Sequence, residues 1–194
     1  MWPVKAARGS DHLSDDGVVL SGEIDIFGST YDTAALAIAS VVQCATTLVG
    51  AYALKRHPLR AIVPGDMFVA NDPYTGGGTH LPDINVIAPV FMGKRIVAYV
   101  ANIAHHADVG GMVPGSEAAV CQSIYQEGLR IPPVRIMQAG RVNRDVFDII
   151  LLNSRTPDER VGDLHAQFAA NTVGMRSVTA LFDRYGERAA QATI

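Results

Sequence analysis

A chain of 194 residues with 48% hydrophobic and only 18% charged side chains is long enough to build a core and too apolar for disorder. Its net charge of −3 gives nucleic acid no electrostatic footprint, and its two cysteines, Cys44 and Cys121, make neither a disulfide framework nor a zinc-type pair. So apolar a composition exceeds what one small domain hides alone, which points to a larger partner or a missing remainder of the chain.

The first 17 residues are polar and lack the apolar core of a secretory signal, so a cytoplasmic location is expected. Residues 17–26 (GVVLSGEIDI) read as short extended structure broken by Gly22. Residues 33–54 carry no charge over 22 positions, the length of a bilayer span. Ser40, Gln43, Thr46, Thr47 and the many alanines favour instead a helix buried in protein, with Asp32 as N-cap and Pro58 beyond its end. No membrane partner is expected. A turn at Pro64-Gly65, a short strand and a glycine- and proline-rich loop occupy residues 63–83. Residues 84–91 and 94–103 read as two strands joined at Met92-Gly93, a hairpin. A second irregular stretch spans 104–116, and a short helix is predicted over 143–153.

The last element has the clearest signature. Thr156-Pro157-Asp158-Glu159 reads as a capping box with proline at the first helical position. Beyond it Val161, Leu164, Phe168, Asn171, Met175, Val178 and Phe182 recur by threes and fours, the spacing of a packed helical seam. Asn171 inside that seam needs a polar partner. Gly162 and Gly174 suggest close packing against another element. The fold class read from these elements is α+β, a strand pair or small antiparallel sheet packed with long helices.

Four polar features crowd the hairpin. They are His80 and Asp83 after the triple glycine of residues 76–78, His105-His106 at the end of the second strand, Asp72, and Asp108 before Gly110-Gly111. A hairpin brings the start of its first strand and the end of its second to one edge. His80, Asp83 and the histidine pair then meet, although 25 residues separate His80 from His105. Two imidazoles with one or two carboxylates suit zinc, manganese or iron. Adjacent residues of extended chain face opposite ways, so one of His105 and His106 is the ligand, and the other binds substrate or acts as an acid/base. The competing reading is a pair of merely hydrogen-bonded histidines. The glycine triplet lacks the lysine of a P-loop, and no nucleophile elbow is present. Cys121 has no local base to activate it.

Several runs resemble the hydantoinase B/oxoprolinase family: PGDMFVANDPYTGGGTHLPDI (64–84), ANIAHHADVGGMVPGS (101–116), EGLRIPPVRI (127–136), NSRTPDERVGDL-AQ (153–167) and RYG (184–186). They are collinear and cover most of residues 60–186, with residues 1–60 matching poorly. The whole chain is read as one segment of such a domain. The sequence is similar, more distantly, to a subunit of acetone- and acetophenone-type carboxylases. The resemblance implies ATP-dependent hydrolysis of a cyclic amide such as a hydantoin or 5-oxoproline. A hydantoinase A-type partner subunit binds ATP and Mg and phosphorylates the substrate's carbonyl oxygen. The B-type subunit carries a divalent metal (Zn, Mn or Fe) and completes the reaction. Carried over, the metal ligands are His80, Asp83 and His105, with Asp11 as a looser fourth, and His106 or Asp108 moves a proton. The carboxylase branch and an inactive truncated remnant are the alternative readings. Chains of the family are several hundred residues longer, so this one reads as a fragment or a split-gene product.

Overall fold

The computed structural model describes residues 57–75, 80–116, 118–187 and 190, together with the backbone of 18–21. The expected helix over 33–55, Asp11, Cys44 and the glycine triplet at 76–78 lie outside the described residues. Six strands form one sheet in the order β1-β4-β3-β2-β5-β6. They are β1 (Val18–Ser21), β2 (Met67–Ala70), β3 (Asp83–Met92), β4 (Arg95–His105), β5 (Val134–Gln138) and β6 (Arg141–Val142). Strands β2 to β6 pair antiparallel, and β1 joins the far side of β4 in parallel. Helices α1 (Arg144–Leu152) and α2 (Pro157–Tyr185) complete an α+β fold.

The β3–β4 hairpin organises the rest. Both strands are rich in Val, Ile and aromatic residues, which suit a pleated, buried surface. The reversal is the two-residue turn Gly93-Lys94, one residue later than the sequence suggests. Gly93 has φ +64°, as the first position of a type II′ turn requires. This turn sets the register from Met92 opposite Arg95 to Asp83 opposite His105, interrupted by one shift between Val90 and Phe91. Because side chains alternate, Ile84, Val86, Ala88 and Val90 share one face with Ala98 and Val100 and join the main core. Helix α2 covers that face with Leu164, Phe168, Val178 and Phe182, which are buried, and with Val161 and Met175, which are partly so. Burying each such aliphatic or aromatic side chain contributes about 1.5–3 kcal/mol. Asn171 finds the partner it needs by donating to the Val86 carbonyl at 3.0 Å. Gly174 lets the helix approach the sheet, since a Cβ there would stand 3.3 Å from Val100. Gly162, in contrast, faces open space.

Two local expectations are corrected. The capping box at the start of α2 does not form, because Thr156 N–H donates to Ser154 Oγ and the Glu159 carboxylate leans on Arg160. Pro157 alone marks the helix start. Strands β5 and β6 carry little alternation, only Ile136 among them being buried, so pattern alone does not announce them. They exist because β5 pairs with β2 across more than 60 residues of chain. Helix α1 falls where expected, with Asn143 Oδ1 accepting from Val146 N–H at its start. Among the described residues, no helix is long and apolar enough to cross a membrane.

Candidate metal centre

The hairpin register places Asp83 directly across from His105, at the open end of the strand pair. Directly opposed residues of an antiparallel pair project to the same face, here the one away from α2. His80 reaches them through a tight reversal. Asp83 N–H donates to the His80 carbonyl at 3.2 Å, and both Ile84 N–H and His106 N–H donate to the Pro82 carbonyl. Leu81 is fully buried and pins this reversal to the core. His80 Nδ1 thus lies 2.8 Å from Asp83 Oδ2. The imidazole centroids of His80 and His105 are 5.0 Å apart. One ligand atom from each of His80, Asp83 and His105 lies within 4.8 Å of the other two. His80 and Asp83 are half-buried and His105 is exposed, so the cluster is open to small molecules.

The donor set fits a divalent ion. Ligand atoms about 2 Å from zinc stand roughly 3–4 Å from one another, so small side-chain rotations close this cluster around an ion. Two neutral imidazoles and one carboxylate are borderline donors that suit zinc, manganese or iron.

The other polar residues singled out from the sequence lie elsewhere. His106 is fully buried on the α2 side of the hairpin, with Nε2 3.0 Å from Gln167 Oε1. Burial lowers its pKa, and nearby Arg160 adds to this, against the Gln167 hydrogen bond and Asp163. Packed against Gln167 on that side, it does not face the cluster. Asp108 is buried and accepts from Gly110 N–H, Gly115 N–H, Arg155 N–H and Arg155 Nη1. Burial would raise its pKa, but these donors outweigh it and lower the value to about 2. Such a carboxylate holds a loop together and is ill-suited to carry protons at neutral pH. Asp72 likewise accepts from Thr75 and from Arg130 Nε at 2.7 Å. Burial opposes this, yet the Arg130 and Thr75 hydrogen bonds hold its pKa below the usual carboxylate range. Beside it Asn71 is fully satisfied, donating to the Leu81 and Leu129 carbonyls and accepting from Ile131 N–H. Sequence reasoning passed over Gln167 and Arg155. The available signal for Gln167 was a polar residue on the apolar seam, one turn before Asn171.

Residues 25–194 match the hydantoinase B/oxoprolinase family. The chain belongs to that family. It is 38% identical over 133 residues to the caprolactamase subunit beta of Pseudomonas jessenii, an alignment covering 69% of this chain and 23% of the relative. It is 37% identical over 122 residues to the 5-oxoprolinase of Dictyostelium discoideum, covering 63% of this chain and 10% of that one. The crystal structure of the ATP-dependent caprolactamase from Pseudomonas jessenii superposes with a TM-score of 0.66 at 33% identity, over 80% of this chain and 25% of that chain. Nucleotide-free acetone carboxylase shares the fold, with a TM-score of 0.67 at 21% identity over 77% of this chain and 20% of that one. The chain thus spans less than a quarter of the length of these curated relatives.

Proposed function

We propose that this chain is the metal-holding part of a B-type subunit of an ATP-dependent cyclic amidohydrolase. It acts on a hydantoin, 5-oxoproline or a related lactam, together with a hydantoinase A-type subunit that binds ATP and Mg. The observation that carries this reading is the convergence of His80, Asp83 and His105 at the hairpin mouth. The names of the relatives support it, since caprolactamase and 5-oxoprolinase both denote enzymes of cyclic amides. In this proposal His80, Asp83 and His105 hold one divalent ion, and the fourth position is taken by water or, more loosely, by Asp11. Three protein ligands with a remaining open position is the pattern of a catalytic site rather than a structural one. When bound, such an ion supplies Lewis-acid chemistry, polarising a carbonyl or phosphoryl oxygen and making water a better nucleophile near neutral pH. His105 stands on the exposed side, where substrate arrives. Asp83 and His80 hold the buried side of the site against the sheet. Asp108 and Arg155 shape the adjoining loop, and His106 anchors the strand end.

The test uses the complete complex with its ATP-binding subunit, wild type and His80→Ala. The variant is expected to lose its metal and its ATP-dependent ring opening while keeping the circular dichroism of the wild type. Equal metal content with unchanged ring opening removes His80 from the ligand set. Bicarbonate-dependent carboxylation of a ketone, without ring opening of any cyclic amide, moves the protein to the carboxylase branch.

A further inference from the structure

We infer that Gln167 of α2 is a positioning residue for the metal ligands, a clamp that ties together the two strand ends bearing Asp83 and His105. This rests on the reading of the cluster as a metal site. Gln167 lies beneath the hairpin, on the face opposite the ligands. Its Nε2 donates to the Ile84 carbonyl at 2.8 Å and to Asn102 Oδ1 at 2.8 Å. Its Oε1 lies 3.0 Å from His106 Nε2. Asn102 Nδ2 returns a hydrogen bond to the Gln167 carbonyl at 2.9 Å. Ile84 follows Asp83 on β3, and His106 follows His105 at the end of β4, so one amide grips the immediate neighbour of each ligand.

The chemistry of the network allows one arrangement. Turning the amide over would face its oxygen toward two acceptors, the Ile84 carbonyl and Asn102 Oδ1. Gln167 Oε1 must therefore meet a donor, which places a proton on His106 Nε2. Gln167, His106 and Ile84 are all buried, so water does not replace a lost partner. The mechanical need is equally plain. Asp83 and His105 form the last registered pair of the hairpin, and the ends of strand pairs are where opening is cheapest. A single residue bridging both strands at that end opposes the opening that would separate the ligands.

Asn171, one turn further along α2, is a built-in control. It is as buried as Gln167 and donates to the same strand, at the Val86 carbonyl, but reaches β3 alone. The experiment titrates the full chain with zinc against a chromophoric chelator, and with cobalt to read ligand geometry from its visible spectrum. Gln167→Met is expected to weaken zinc binding about 10-fold, the lower end of the range for groups bonded to metal ligands themselves, because it reaches only their chain neighbours, and to alter the cobalt spectrum. Asn171→Leu should lower the melting temperature but leave zinc affinity within about twofold of wild type, because outer-partner effects need a link to the ligand. Gln167→Glu keeps the volume and the acceptor for His106 but sets a carboxylate oxygen against the Ile84 carbonyl and Asn102 Oδ1, so it should lose zinc affinity to at least a similar extent; it carries the comparison if Gln167→Met does not fold. Zinc affinity of the Gln167 variants within twofold of wild type overturns the clamp, as does an equal loss in Asn171→Leu. Failure of the wild type to bind zinc in a manner abolished by Asp83→Asn overturns the metal reading itself, and the clamp with it.

Discussion

The two segments that flank the open end of the hairpin, residues 71–82 (described at 71–75 and 80–82) and 106–116, are made from nearly the same ingredients and serve different ends. Each combines glycine, histidine and aspartate. In the second, Asp108 is enclosed by four donors, Ser116 Oγ links Val109 N–H to the Gly110 carbonyl, and Arg155 ties down the carbonyls of Gly110 and Gly111. In the first, Asn71 and Asp72 do the same internal work, but the segment ends by delivering a half-buried His80 beside Asp83 and opposite an exposed His105. A carboxylate saturated by backbone and guanidinium donors is a structural post. One that meets two imidazoles at an accessible edge is the carboxylate that the proposed metal site requires.

The contrast breaks most visibly at His105. His105→Ala should weaken divalent-metal binding by more than the ~100-fold that outer partners cost, with little change in melting temperature because the ring is exposed. Calorimetric metal titration alongside a thermal melt reads both. Asp108→Asn should do the reverse, costing about 2–3 kcal/mol in urea unfolding while leaving the metal bound to the folded fraction. The acid limb sharpens the point. With its folded pKa lowered to about 2 against 3.8 unfolded, Asp108 contributes stability that is present above pH 3.8 and lost as pH falls through 2. The gap between wild type and Asp108→Asn should therefore close over that window, and a gap that persists at pH 2 would show that the charge is not its source.

Backbone strain sets the second segment apart from an ordinary turn. Gly111 has φ +88°, and a Cβ there would stand 2.5 Å from the Gln126 carbonyl oxygen. Gly111→Ala should cost about 2 kcal/mol by denaturant midpoint, more than the ~1 kcal/mol expected for Gly140→Ala, where only the positive φ is strained. The smallest effect belongs to Tyr99 on the sheet face shared with the ligands. Its hydroxyl is buried with no hydrogen-bond partner among the described residues, and burial raises its pKa. Tyr99→Phe should change stability by less than about 1 kcal/mol, with neutral or favourable sign. The wild type alone should lose stability as pH rises above 10, since the folded state keeps the phenol neutral where the unfolded chain ionises.

Much of this was legible along the chain. The hairpin followed from two apolar, Val- and Ile-rich runs on either side of Met92-Gly93, and α2 from a seam of seven residues with Pro157 at its head. Those patterns depend on neighbours within a turn or a strand, which is why they can be read locally. The meeting of Asp83 with His105 is a consequence of the same hairpin, because a turn of known length sets the register. The α+β class followed from the same elements.

What lay beyond local reading depends on groups that arrive from far away. What His106 meets on the face away from the cluster was set by Gln167, 61 residues on. Which aspartate becomes a post was decided by Arg155, 47 residues on from Asp108, whose backbone and side chain both donate to it. Strands β5 and β6 exist only because β2 offers an unpaired edge to a segment with weak alternation of its own. The periodicity of a chain encodes which face each residue shows. The donors and strands that reach that face from elsewhere decide whether a polar side chain there is locked in place or left able to bind.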